Sequence, residues 1–322
     1  MTPERPALPD PLDAVAAPGP WTHRNVAANG ARFHVAELGE GPLVLLLHGF
    51  PTYWWTWRSQ LVALAEAGYR AVAMDLRGYG GSDHTPHGYD PLTLAADVAG
   101  VVRSLGAPDA VLVGQGWGGL LAWTAAVTHP HVVRGIVPLS MPHPKRLRDA
   151  LLAEGPQRRA AGYIFGFQLP FLPERSLTRD DAARVGGLLR EWSAAPEWPT
   201  AEAEAMFRAA MLTPATAHCA LEYHRWAIRS IPRRDGRRFV ASVAEAVVAP
   251  VLHVQGAQDP SMLLSSAIGS DAHVLGPYAL RVLDDCGHFP QEERPEGLNA
   301  LLLSWLADGM SWDDPDRDRP SP

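Results

Sequence analysis

Residues 111–123 read VLVGQGWGGLLAW, and the architecture follows from how this stretch is understood. Val111–Gln115 is a near-continuous apolar run, the pattern of a parallel strand buried on both faces. Gly114, Gly116 and Gly118 then fall at the Gly-x-Nuc-x-Gly spacing of a nucleophile elbow, the sharp strand-to-helix turn that exposes a nucleophile above a sheet. The central position is Gly116, which has no side chain. An elbow forces that residue to positive φ, which costs a non-glycine residue about 1–3 kcal/mol. Glycine adopts it freely. Gly116 therefore suits the turn while removing a covalent step.

Similar apolar runs lie on either side. Leu43–His48 (LVLLLH), Arg70–Asp75 (RAVAMD), Gly135–Ser140 (GIVPLS) and Val251–Gln255 (VLHVQ) read as further parallel strands. Helical patterns separate them. DPLTLAADVAGVVRSLG is the clearest, with Asp90 as N-cap, Pro91 in the first turn, a buried stripe of Leu94, Val98, Val101, Val102 and Leu105, and Gly106 as the stop. Repeated β-α-β units imply a parallel α/β sheet. After Ser140 the strand pattern lapses for about a hundred residues of helix and loop, from KRLRDALLAEG to ATAHCALEYHRWAIR, and resumes at Val251. The expected organisation is a core over 21–140 and 246–309, an inserted helical cap over 141–245, and disordered tails at 1–20 and 310–322.

His48-Gly49-Phe50-Pro51 follows the LVLLL strand directly, and Gly49 allows a sharp turn that aims the Phe50 amide into a site. HGFP, Trp54, Trp57-Arg58, Gln60, DLRGYG at 75–80, GQGWGG and CGHFPQEE occur in that order. Together they resemble the epoxide-hydrolase branch of the α/β-hydrolase superfamily over residues 25–308. Haloalkane dehalogenases are related but usually carry Asn where this chain has Phe50.

The resemblance implies an α/β-hydrolase fold: a mostly parallel central sheet flanked by helices, with an inserted all-helical cap. It implies an Asp at the elbow, usually in GHDWGG, that attacks the epoxide carbon and is released by a His–Asp pair. Here Gln115 and Gly116 replace that His and Asp. The other expected positions are filled: Asp259 in GAQDP as the acid and His288 in DCGHFPQEE as the base, in the order elbow, acid, His. The Phe50 and Trp117 amides are the expected oxyanion hole. The family's two cap tyrosines correspond to Tyr163 and to a position held by His224. Tyr223, one residue earlier, is rotated by about 100° on a helix and does not substitute. Thr52 departs from a common Glu. Cys286 is badly placed as a replacement nucleophile, because it shares the base's loop, and Cys219 reads as packing.

The chain has 322 residues, 47% apolar and 20% charged, with a net charge of −7. That balance disfavours nucleic acid as a partner. Lys145 is the single lysine, which disfavours Schiff-base or pyridoxal chemistry. Two cysteines offer neither a disulfide framework nor a metal cluster, and no cofactor or metal is expected. The first 20 residues lack signal-peptide features. No apolar run approaches the roughly 18–20 residues of a bilayer span, so a cytoplasmic protein without a membrane partner is expected. Two readings remain open: an acid–base enzyme (hydrolysis, lyase or isomerase type) driven by His288–Asp259 on a small apolar molecule, or a non-catalytic protein holding such a ligand.

Overall fold

The computed structural model describes residues 8–312. Its centre is an eight-stranded sheet in the order β1-β2-β4-β3-β5-β6-β7-β8. The strands are β1 (Thr22–Ala28), β2 (Ala31–Leu38), β3 (Leu43–Leu47), β4 (Arg70–Met74), β5 (Ala110–Gln115), β6 (Val133–Leu139), β7 (Val251–Gly256) and β8 (Tyr278–Leu283). β1–β2 and β2–β4 pair antiparallel; every other pair is parallel. β3, β5 and β7 are buried along their whole length, which is why their sequences are near-continuous apolar runs, broken only by buried Gln115, His253 and Gln255. β1, β2 and β8 were not legible in the sequence. They lie towards the sheet's edges, where solvent on one side admits polar residues such as Arg24, Asn25 and Arg281.

Helices α1 (Pro11–Val15), α2 (Arg58–Glu66), α3 (Pro91–Ser104) and α4 (Trp117–Thr128) belong to the first part of the core. Asp90 caps α3 as expected, its carboxylate accepting the Thr93 amide at 2.9 Å, and Gly106 closes the helix with φ +77°. Between β6 and β7 come α5 (Pro144–Ala153), α6 (Gly155–Ala160), α7 (Tyr163–Gly166), α8 (Leu172–Trp192), α9 (Ala201–Met211), α10 (Thr216–Arg229) and α11 (Arg234–Ser242). α12 (Leu264–Ala267), α13 (Pro290–Glu293) and α14 (Pro295–Ala307) complete the core. The expected fold class, a mostly parallel sheet flanked by helices with an all-helical insertion, is the one observed.

The expectation of a disordered N-terminal tail is corrected for residues 8–20. Asp10 caps α1, accepting from the Leu12 amide at 2.8 Å, and Ala14, Val15 and Ala17 are buried. The segment is held by donors from the core: Tyr53 Oη to the Ala14 carbonyl at 2.9 Å, Trp54 Nε1 to Val15 at 2.8 Å and Trp21 Nε1 to Ala17 at 2.9 Å. Buried indoles and phenols need acceptors, and a proline-rich strap supplies free carbonyls where composition alone suggests disorder. At the other end, Met310 donates its amide to Trp305 at 2.9 Å and Trp312 Nε1 reaches Asp308 at 2.7 Å, so the ordered chain runs past 309. The remainder of both expected tails, 1–7 and 313–322, lies outside the described residues.

Candidate active site

The C-terminal ends of β3, β5 and β7 and the loop after β8 converge beneath the helical insertion, where α/β sheets place their sites. The turn from β5 into α4 has the shape the sequence predicts: Gly116 has φ +52° and ψ −117°. A second glycine is required for close approach. A Cβ on Gly118 would stand 2.0 Å from the Leu47 carbonyl oxygen, so only glycine lets α4 begin this close to β3. At Gly116, by contrast, a Cβ would meet only His288 Nε2 at 3.5 Å and Gly49 Cα at 3.8 Å. The space above the turn is open and faces an imidazole.

That imidazole is organised from three sides. His288 Nδ1 lies 2.8 Å from Asp259 Oδ2. Asp259 also accepts the Ser261 and Met262 amides at 2.8 and 2.9 Å and the Gln255 amide nitrogen at 3.2 Å, so a buried carboxylate is fully hydrogen-bonded. This arrangement puts the His288 proton on Nδ1 and leaves the Nε2 lone pair directed at the space over Gly116. The His288 amide donates to the Trp192 carbonyl at 2.8 Å. Its own carbonyl accepts from Gln115 Nε2 at 3.0 Å.

Trp192 and Glu293 were not singled out by the sequence, and Gln115 was noted only as a replacement for the His that the resemblance implies. Gln115 ties the elbow to the histidine loop. Glu293 accepts the Gly287, Phe289 and Ala194 amides at 2.9, 3.0 and 2.8 Å, so one carboxylate joins that loop to the end of α8. The acidic pair in FPQEE is the trace of this role in the sequence.

A cavity of about 120 Å³ opens above Gly116. Phe50, Trp117, Tyr163, His224 and His288 all line it, among apolar walls such as Leu120 and Met262. Every sequence-predicted site residue except Asp259 thus faces one space, with Asp259 behind His288. Among the described residues, neither the Phe50 amide, on the loop after β3, nor the Trp117 amide, in the first turn of α4, has a hydrogen-bond acceptor, which leaves two donors for a ligand. Burial pushes the Tyr163 phenol up to about 12, so it stays protonated.

His224 is corrected as a proton donor. Its Nδ1 donates to the Ala220 carbonyl at 3.1 Å, and its Nε2 accepts the Trp117 indole N–H at 3.1 Å. Both nitrogens are engaged within the protein, and burial holds its pKa down to about 4. It is a neutral wall residue that fixes the Trp117 ring. Tyr223 turns away and donates to the Arg77 carbonyl at 2.7 Å, as a one-residue step along α10 dictates. Cys286 is buried with its Sγ 3.8 Å from the Gly287 carbonyl oxygen, and burial raises its pKa, so it is no thiolate. Among the described residues, no group of three or more His, Cys, Asp or Glu side chains is placed to hold a metal ion.

Depressed imidazoles give a stability signature. His224 is held near 4, and burial holds His143 and His253 near 3. The unfolded chain binds protons at these positions below its usual 6.5, and the folded chain does not. Stability is therefore complete above about pH 6.5 and is lost as pH falls towards 4, by about 1.4 kcal/mol per pH unit for each such histidine. Urea unfolding between pH 4 and 7 measures this slope. A His224→Asn variant is expected to flatten it by one such increment, and an unchanged slope refutes the assignment.

The fold and this elbow–His–Asp geometry define an α/β-hydrolase. The chain belongs to the α/β-hydrolase-fold family, which it matches over residues 42–295. Among its relatives it is 32% identical to epoxide hydrolase 3 of Xenopus tropicalis over 291 residues, covering 86% of this chain and 75% of that one. Among solved structures it is similar to epoxide hydrolase A of Mycobacterium thermoresistibile, with TM-score 0.77, 30% identity and coverage of 89% and 98%. It is also similar to an epoxide hydrolase from an endophytic Streptomyces, with TM-score 0.81, 29% identity and coverage of 92% and 98%.

Proposed function

We propose that this chain adds water directly to a small apolar epoxide, with no covalent enzyme intermediate. The observation that carries the reading is the unoccupied approach to His288. Its Nε2 lies 3.5 Å from where a Gly116 side chain would begin, and its Nδ1 is anchored on Asp259 at 2.8 Å. Gly116 stands where the epoxide-hydrolase resemblance places the attacking carboxylate. A water in that space replaces it as nucleophile.

In this reaction His288 Nε2 takes a proton from the water as its oxygen bonds to the epoxide carbon. The C–O bond breaks, and the ring oxygen receives the Tyr163 proton. His288 then returns a proton to the tyrosinate, leaving a diol and the starting protein. The charge developing on oxygen is also met by the Phe50 and Trp117 amides. The cavity supports a small apolar substrate: it is close to the engineered cavity of about 150 Å³ that takes up benzene.

The test is a single turnover in H₂¹⁸O with a panel of small apolar epoxides. Direct attack places ¹⁸O in the first diol formed and leaves the protein mass unchanged. Unlabelled first product, or a mass adduct on the chain, overturns the proposal. Saturable binding of the same compounds with no turnover across the panel replaces it by the second reading, a ligand-binding protein. The loss of His224 as an acid favours that alternative.

A further inference from the structure

Outside the cavity, the cap carries a surface that no step above uses. Phe165, Leu169, Phe171 and Leu172 are each half or more exposed within eight residues, Phe171 at 82%. Contiguous exposed apolar side chains of this size mark a surface that meets something. Phe171 is also strained, with φ +61°, so the most exposed phenyl ring occupies a conformation that favours glycine. This protrusion is built. Arg225, itself buried, donates to the Phe167 and Leu169 carbonyls at 3.0 and 2.9 Å and is held by Glu174 at 2.7 Å and Glu222 at 3.1 Å. The loop is thereby tied to α10 while Phe171 stays exposed.

Charge identifies what it meets. Segments 155–175 and 225–240 hold nine arginines against one glutamate and one aspartate, in a chain whose net charge is −7. The two segments meet where Arg229 reaches the Gln168 carbonyl at 3.4 Å. Among the described residues, Arg225 alone of the nine forms an ion pair. Arg175 follows Leu172 by one helical turn. Apolar tips next to segments in which arginines outnumber carboxylates match a bilayer surface, where rings enter the acyl boundary and arginines bind phosphates. A second copy is disfavoured, because a two-fold contact on this patch would bring its arginines against one another.

We propose that this face docks the protein on an anionic phospholipid surface. No helix among the described residues is long and apolar enough to cross a membrane, and docking needs none. This revises the sequence-based expectation of no membrane partner, which rested on the lack of a spanning run. The proposal does not rest on the reaction assigned to the cavity. It touches the site only through α7, which carries both the exposed Phe165 and the cavity residues Tyr163 and Ile164.

The experiment is co-sedimentation of the full chain with vesicles of phosphatidylcholine alone or with about half phosphatidylglycerol. Binding is expected on the anionic vesicles, weakened in high salt, and absent on the neutral ones. Phe171→Gly removes the ring and relieves the positive φ, so it folds at least as well as the parent. It is expected to weaken binding about tenfold. R175Q with R229Q is expected to abolish the preference for anionic lipid. Absence of binding to anionic vesicles overturns the proposal, as does unchanged binding by Phe171→Gly. A concentration-dependent dimer that Phe171→Gly dissociates also overturns it, in favour of a second copy.

Discussion

Replacing His288 by alanine is expected to lower kcat/KM for small epoxides by a hundred- to ten-thousand-fold, roughly the range of a lost general base. Removing the ring takes away the one lone pair aimed at the space over Gly116 and leaves the fold intact, since the loop is held by its backbone. The His288 amide still donates to Trp192, and Gln115 still donates to the His288 carbonyl. Ligand binding should change little, because the cavity walls are mostly apolar. Asp259→Asn is expected to act in the same direction by a different route. An amide on Nδ1 permits the opposite tautomer and turns the Nε2 lone pair into a donor. Steady-state kinetics and calorimetric binding on both variants check the argument. Turnover that survives in His288→Ala removes this histidine from the chemistry.

Gly116→Asp is expected to have the second large effect, in two opposed directions. A Cβ there is accommodated, since it meets nothing nearer than His288 Nε2 at 3.5 Å. Its backbone does not relax, because φ stays at +52°, so stability should fall by about 1–3 kcal/mol. The carboxylate would lie against the imidazole and reach a bound epoxide carbon. The variant is expected to form a covalent ester, seen as a mass increase, and to hydrolyse epoxides at least tenfold faster than the parent. In H₂¹⁸O its first diol should be unlabelled, the reverse of the parent. A folded variant that neither forms the adduct nor gains rate would show that the cavity is not shaped for epoxides.

The elbow, the parallel strands, α3 with its Asp90 cap and the Asp259–His288 pair were legible because each rests on local rules. A buried strand is an apolar run, a cap is a short polar side chain before a helix, and a positive φ selects glycine. The edge strands failed that test, since β1 offers THRNVAA to solvent on one side. The N-terminal strap failed it too. Its order comes from Trp21, Tyr53 and Trp54 finding carbonyls in a segment whose own composition lacks a core.

His224 shows the limit most sharply. From sequence it is an imidazole at a position where the family resemblance implies a proton donor. In the structure the Trp117 indole, 107 residues away in the chain, donates to its Nε2. Proton direction is set by partners, and partners come from distant segments.

The sequence by itself determined the parallel centre of the sheet and the tight turn at Gly116, because those depend on apolar runs, on spacing and on the lack of a side chain. Tertiary structure alone decided that His288 faces the open space over Gly116, that Gln115 and Glu293 hold its loop, and that Phe171 stands exposed on the cap. Orientation, hydrogen-bond donation and exposure are relations between segments far apart in the chain, and no local pattern encodes them.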